Sequence, residues 1–298
     1  MSAEQAPQAS PAIAVLAVVG VGLIGGSFAA ALRQAGQLGR VLGVGRNPES
    51  LAQALALGLI DEAVSPEEAA ARADLILLAT PVGSAGSMLA RMREHLGPQC
   101  LITDGGSTKV EVVAAARAAL GERISAFVPG HPIAGAERTG PEAADARLYE
   151  GRNVILTPLA ENAAAAVARV RTAWQACGAH VLEMTPHEHD SVLASVSHMP
   201  HFLAAAYMAQ VCEASDAATR LDLAGSGFRD FTRIAAGSPE MWRDIFLSNR
   251  SAMLTELGAL RAVLDRTEAA LAAGDGASLQ QWLQDAATAR RAWRKESA

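Results

Sequence analysis

The residues able to do chemistry gather in four stretches: GGSTK at 105–109, PGHPIAG at 129–135, VSHMPH at 196–201 and GFRDFTRIAAGSPEMWRD at 227–244. His131 stands out among them. It sits between Gly130 and Pro132 on what reads as a loop leaving a strand end. A near-neutral imidazole there can take a proton from a hydroxyl while hydride leaves the same carbon. Arg229 and Arg233 lie in a glycine-flanked segment with Phe228 and Phe231. A guanidinium in that setting can grip a carboxylate with two parallel hydrogen bonds, although an interdomain salt bridge is the competing use. His198 and His201 flank Pro200. The proline is expected to break or kink a helix and aim both rings into a cavity on the substrate side. With His187 and His189 these rings could suggest a metal centre. The spacing matches no zinc motif and no cysteine stands near, so no metal is expected. Capping and packing account for His187 and His189 more simply.

The cofactor signal is separate. IAVLAVVGVGLIGG reads as a buried strand, Ile13 to Val19, running into a G-x-G-x-x-G loop at Gly20, Gly22 and Gly25. A helix follows from Leu23 to about Gly36, with Leu23 and Ile24 in the turn. The glycines serve a tight turn, close approach of a pyrophosphate and close helix–strand packing, and the helix N-terminus offers N–H groups to phosphates. The loop implies a nicotinamide or flavin dinucleotide. The second strand, RVLGVG at 40–45, ends without the acidic residue that usually holds a ribose 2′-hydroxyl. Gly45 leaves space and Arg46 supplies a cation, which suits a 2′-phosphate and so NADP ahead of NAD. Thr80 and Pro81 follow a third apolar strand, DLILLAT, at the sheet edge where ligands sit.

These residues need a scaffold. Strands are expected at Cys100–Asp104, Ala126–Val128, Val154–Thr157 and His180–Met184, with helices at about 110–120 and 161–177. Asn47-Pro48, Ser65-Pro66-Glu67-Glu68 and Thr185-Pro186-His187-Glu188 read as helix starts, and Gly178 as a helix stop. Alternation of strand and helix to about Met184 predicts an α/β fold: a doubly wound, Rossmann-type parallel sheet. After Met184 only helices are expected, at about 186–196, 201–217, 239–273 and 279–294, with caps from Ser238-Pro239 and Ser278 to Gln281. Trp242, Phe246, Met253, Leu257, Leu260 and Leu264 recur at helical spacing in the third. Such a stripe needs a partner, so the helical region is expected to form a dimer. The reading divides the chain into a disordered tail at 1–12, a dinucleotide-binding domain at 13–184 and a helical substrate and dimerisation domain at 185–298.

The net charge of −6 argues against a nucleic-acid surface. Cys100, Cys177 and Cys212 form no C-x-x-C pair, which fits a reducing cytoplasm with thiols used as small hydrophobes. No stretch has about 18 uninterrupted apolar residues, and no lysine or arginine precedes the first apolar run, so neither a membrane span nor a secretory signal is expected.

Taken together, GVGLIGGSFAAAL, DGGSTK, GHPIAGAE with LYEGRNVILTP, VSHMPH and GFRDFTRIAAGSPEMWRDI resemble the prephenate dehydrogenase family of tyrosine biosynthesis, which includes arogenate and cyclohexadienyl dehydrogenases. The resemblance spans about Ile13 to Asn249. It implies oxidative decarboxylation: hydride leaves the carbon bearing a ring hydroxyl, and the ring carboxylate departs as carbon dioxide with aromatisation. It places the catalytic histidine at His131 and a serine contacting hydroxyl and nicotinamide at Ser107. It places the substrate-carboxylate arginine at Arg233 and substrate-side groups at His201, Glu137 and Trp242. It also implies a homodimer, and no regulatory domain is expected after the helices. A 3-hydroxyacid dehydrogenase is the rival, but that chemistry needs a catalytic lysine in the helical domain, and neither of the lysines here, Lys109 and Lys295, is on a suitable helix. A dinucleotide-sensing protein without turnover is the other.

Overall fold

The structure, a computed structural model, describes residues 12–135 and 138–293. Apart from Ala12, the expected tail lies outside those residues, as does Glu137. Strands β1 (Ile13–Val19), β2 (Leu38–Val44), β3 (Glu62–Ala63), β4 (Leu75–Leu78) and β5 (Leu101–Asp104) form a parallel sheet in the order β3-β2-β1-β4-β5. Helices α1 (Leu23–Gln34), α2 (Pro48–Ala56), α3 (Pro66–Arg72), α4 (Ala85–Met92) and α5 (Val110–Leu120) connect and flank them.

The strands are apolar on both faces because both faces are covered. Leu16 and Val18 of β1 join one core with Phe28 and Leu32 of α1 and with Trp174. Ala17 and Val19 join the other with Ala69, Leu89 and Val112 from α3, α4 and α5. The sheet is thus doubly wound, as the alternation predicts. Its register aligns Val19 with Val44 and with Leu78, and Leu78 with Asp104. The loops carrying Gly20, Arg46, Thr80 and Ser107 therefore leave one carboxyl edge, with the strand order reversing between β1 and β4. Ligands bind at that kind of switch point.

The expected strand at Ala126–Val128 is corrected. Ala126 ends a 3-10 turn, and Phe127 after it makes only an isolated bridge to Ile102. Pro129 has no N–H for a ladder, and the chain rolls away from the parallel sheet. The strand forms instead at β6 (Gly130–Pro132), antiparallel to β7 (Asn153–Leu156), which pairs in parallel with β8 (His180–Glu183). His131 is therefore a strand residue and not a loop residue. Between β7 and β8, α6 (Ala164–Ala176) stops before Gly178, whose φ of 83° is the conformation a helix stop needs.

Beyond β8 the described residues are helical: α7 (Pro186–Leu193), a π turn (Ala194–His198), α8 (Met199–Cys212), α9 (Ala217–Asp222), α10 (Ser226–Thr232), a 3-10 turn (Arg233–Ala236), α11 (Pro239–Ser248), α12 (Arg250–Ala272) and α13 (Gly276–Ala292). Three details differ from expectation. Pro200 does not break the chain of helices; the wider π turn just before it absorbs the missing N–H, and α8 begins with the proline in its first turn. The expected helix at 239–273 is two helices parted at Asn249, whose ψ of 29° is not helical. The last helix starts earlier, because Asp275 accepts the Ser278 N–H at 3.0 Å and the Ser278 hydroxyl at 2.6 Å.

Two compact units result. The first runs through Asp190 and takes in Gly237–Ser248; the second is Ser191–Ala236 with Asn249–Ala298. Asp190 groups with the first unit because it is bonded into the first turn of α5. Segment 237–248 belongs with the first unit, where the Ser248 hydroxyl meets that of Thr108 at 2.7 Å. Cys100 and Cys177 are buried, with burial pushing both thiols up to about 12. Cys212 is exposed, against the expectation of a packed thiol.

Candidate active site

The three glycines of the first loop show three different constraints. Gly20 has φ 93°, and a Cβ there would lie 2.6 Å from the Ala79 carbonyl oxygen. A Cβ on Gly25 would lie 2.3 Å from the Gly20 carbonyl oxygen and 2.5 Å from a Val18 methyl. Around Gly22 no described heavy atom comes within 4 Å of that position. One glycine makes the turn, one lets α1 pack on β1, and the middle one leaves an open cradle. The first turn of α1 carries no acidic residue and no side-chain cap, so its N–H groups remain suited to phosphate. The Thr80 methyl lies against Gly20, and its buried hydroxyl oxygen has no hydrogen-bond partner among the described residues. Open cradle, bare helix start and unpaired hydroxyl fit a dinucleotide. Leu23 and Ile24 open α1 beside it, Pro81 follows Thr80, and Arg46 is exposed two residues past β2.

Tyr149 fixes this loop from behind, a role with no signal in the sequence. It is fully buried, stacks edge-on to Trp174, and donates its hydroxyl to the Ile24 carbonyl at 2.6 Å.

The loop after β5 joins the cofactor loop to the histidine strand. A Cβ on Gly105 would lie 2.9 Å from an Ile24 methyl and 3.7 Å from Pro132 Cδ. Ser107 is half-buried two residues further on. Asp104 and Lys109, at the two ends of this loop, form a buried ion pair. Asp104 also accepts the N–H of Gly106 and that of Gly130, each at 2.9 Å. The Lys109 ammonium donates to the Gly130 carbonyl at 2.7 Å. Burial holds that ammonium below its ordinary range, against the pull of Asp104 and Asp190. The residue before His131 is thus clamped through both its backbone polar groups.

His131 itself is half-buried, and its Nδ1 meets His189 Nε2 at 2.9 Å. His189 is fully buried, and its Nδ1 meets Asp190 Oδ1 at 2.8 Å. Asp190 accepts the backbone N–H of Lys109 at 2.7 Å and of Val110 at 2.8 Å. It thereby caps α5, which has no side-chain cap of its own. The sequence gives His189 only capping and packing and does not mark Asp190. Neither carries a motif, since what marks them is a contact across 58 residues of chain. His187 is exposed, beside the Thr185–Glu188 capping box. Trp242 also belongs to the first unit, half-buried on α11 with its ring 5.5 Å from that of Phe246.

In the second unit, His201 is half-buried and its Nδ1 meets the Ile234 carbonyl at 3.1 Å. Burial lowers its pKa, the Ile234 bond opposes this, and the Arg233 charge lowers it further. Arg233 is exposed at the start of the 3-10 turn that holds Ile234. The two expected substrate groups of this unit therefore share one corner. His198 is placed differently from expectation. It is 1 % exposed, and its Nδ1 meets the Asn249 amide at 3.1 Å. It ties the π turn to the break before α12.

Residues 28–183 match the family model described as prephenate dehydrogenase, nucleotide-binding domain, and residues 185–285 match that of prephenate dehydrogenase, dimerization domain. The chain belongs to the prephenate dehydrogenase family. It is 39% identical over 241 residues to a prephenate dehydrogenase of Bacillus subtilis, covering 80% of this chain but 64% of that one. The chain thus spans about two thirds of that relative's length. It is 35% identical to a cyclohexadienyl dehydrogenase of Zymomonas mobilis, over 93% of this chain and 95% of the relative. Among solved structures, it resembles prephenate dehydrogenase from A. aeolicus, in complex with hydroxyphenyl propionate and NAD+. That likeness has a TM-score of 0.89 and 34% identity, over 95% of this chain and 99% of the other. The family name attaches to both halves of the chain, and the open glycine cradle and the clamped His131 lie in the unit whose matched domain binds nucleotide.

Proposed function

We propose that this protein catalyses oxidative decarboxylation of prephenate or arogenate with a nicotinamide cofactor, in tyrosine biosynthesis. The observation that carries the reading is His131, fixed on a strand whose next residue, Pro132, lies beside the Gly105 turn, which lies beside Ile24 of the dinucleotide loop. A nicotinamide cofactor held by that loop would accept the hydride. His131 accepts a hydrogen bond from the ring hydroxyl, takes its proton as the carbon–oxygen double bond develops, and returns it to oxygen as carbon dioxide leaves and the ring aromatises. Ser107 contacts the same hydroxyl. Arg233 binds a substrate carboxylate and His201 supports it, with Trp242 supplying an apolar wall. Glu137, outside the described residues, remains assigned to substrate by resemblance alone. Aromatisation provides driving force, so the residues orient and polarise more than they force.

The cofactor reading favours NADP over NAD. Arg46 is exposed where an acidic residue would bind a ribose 2′-hydroxyl, and a guanidinium there suits a 2′-phosphate. A homodimer through the helical unit is part of the same reading. Among its described residues Leu254, Leu264 and Leu271 of α12 and Trp282 and Leu283 of α13 are exposed, and α12 buries only Met253. A helix of 23 residues with so little buried calls for a partner. A cytoplasmic location accords with the free thiols of Cys100 and Cys177.

Initial rates with prephenate and arogenate, each crossed with NAD and NADP, test the reading. Turnover in the NADP columns above the NAD columns is expected, with the Arg46→Ala variant losing that preference. Folded protein that binds dinucleotide but turns over neither substrate would overturn the reading in favour of a cofactor-sensing protein.

A further inference from the structure

We infer that His189 and Asp190 are positioning residues that fix His131 in the tautomer with hydrogen on Nδ1 and the basic lone pair on Nε2. The inference deepens the proposed reaction and rests on it for its catalytic meaning, though the tautomer stands by itself.

The argument starts at the acid end. Asp190 is 3% exposed and accepts the N–H groups of Lys109 and Val110, with His189 against the same carboxylate. Burial alone would raise its pKa. The His189 bond and the two backbone N–H groups outweigh that, and the carboxyl is held below its ordinary value. Asp190 is therefore a carboxylate and can only accept. His189 Nδ1, at 2.8 Å from Oδ1, must then carry the hydrogen. Burial lowers the pKa of His189, with the Lys109 charge adding to this and Asp190 and Asp104 opposing it. The ring is neutral at physiological pH, so its Nε2 holds a lone pair. His131 Nδ1 lies 2.9 Å from that lone pair and must donate to it. The lone pair of neutral His131 is left on Nε2.

Each link reverses if the one before it reverses, so the carboxylate decides which nitrogen of a ring two bonds away is basic. A carboxylate orienting one imidazole is the familiar arrangement of hydrolytic triads. Here a second, neutral imidazole is inserted. It passes on the orientation while keeping the full negative charge one ring further from His131. When His131 takes the hydroxyl proton on Nε2, its Nδ1–H stays with His189, and the imidazolium is stabilised without a second proton transfer. The groups facing His189 are His131 from β6, Asp190 from its own helix, and the Lys109 and Asp104 charges from the loop after β5. Lys109 joins the two ends: its backbone N–H binds Asp190 and its ammonium holds the Gly130 carbonyl beside His131. Ring orientation and strand position are thus set by one residue.

The test uses the whole protein with 15N-labelled histidine, read by NMR, and two variants read by kinetics. Nitrogen shifts of the wild-type protein are expected to show Nδ1–H on both His131 and His189. His189→Gln keeps an acceptor toward His131 and a donor toward Asp190, and is expected to stay within about tenfold of wild-type kcat. His189→Leu removes both and is expected to lose at least about 100-fold in kcat, with dinucleotide affinity unchanged, and to move the acid limb of the rate profile to lower pH. A wild-type His131 with hydrogen on Nε2, or a Gln variant as impaired as the Leu variant, would overturn the inference. Failure of the proposed reaction would show separately, as absent turnover in a wild-type protein whose tautomers still read as expected.

Discussion

Lys109, in the GGSTK stretch, and Arg233, an expected substrate group, are both cations, and the two units treat them in opposite ways. The Lys109 side chain is 0% exposed, paired to Asp104 and bonded to the Gly130 carbonyl, while Arg233 is exposed at a helix end. The same contrast runs through both units. In the first, buried polar groups converge: Asp104, Lys109, Asp190 and His189 all bear on one strand residue, His131. In the second, His201 and Arg233 share a single corner, and the long α12 and α13 leave leucines and a tryptophan exposed. A group whose lone pair must point one way needs many fixed neighbours. A group that meets a charged ligand, or a surface that meets another chain, must remain open to it.

Breaking the buried side should have the largest effect. Lys109→Met leaves Asp104 buried without its cation. That should cost about 3–5 kcal/mol, the usual result of removing one partner of a buried pair, and is measured by urea unfolding. Arg233→Met, at a side chain exposed at a helix end, should cost less. Equal losses from the two would remove the contrast.

The glycine loop gives a smaller and sharper comparison. Gly25→Ala puts a methyl 2.3 Å from a carbonyl oxygen, so stability should fall by about 1–3 kcal/mol and dinucleotide binding with it. Gly22→Ala meets open space and should leave unfolding unchanged while weakening dinucleotide affinity. Titration of cofactor fluorescence alongside thermal melts separates the two.

The smallest effect is in acid stability. His189 is held below its ordinary 6.5. Below about pH 6.5 the unfolded chain takes a proton there that the folded one refuses, so stability falls as pH drops through that range. Asp190 is held below 3.8, so the stability it contributes is full above that value and is lost as pH falls through its lowered pKa. His189→Gln should flatten the first slope and Asp190→Asn the second, in unfolding free energies measured from pH 7 to pH 3. Unchanged slopes would mean that neither group is held as the structure has it.

What could be read from sequence follows the same division. Gly20, Gly22 and Gly25 were legible because their constraints are local: a positive φ, a helix start, a packed turn. The parallel sheet was legible because strands covered on both faces are apolar throughout. His131 showed itself by type and neighbours, but its strand did not, since Pro129 ends one ladder where the apolar pattern continues. The break at Asn249 was hidden for a similar reason. Trp242 to Leu264 keep helical spacing across it, and the Asn249 bond to His198 that goes with the stop spans 51 residues. His189, Asp190 and Tyr149 act through partners 58, 80 and 125 residues away, which no local pattern records.

The proposed function gives His131 the proton chemistry and Arg233 the substrate charge. Steady-state kinetics of His131→Asn beside Arg233→Ala test it most directly. The expected result is a split: His131→Asn lowers kcat by about 10²–10⁴ with dinucleotide affinity intact, and Arg233→Ala raises KM by about 10- to 100-fold with a smaller change in kcat. Two variants that move the same parameter, or a His131→Asn enzyme with wild-type kcat, would contradict it.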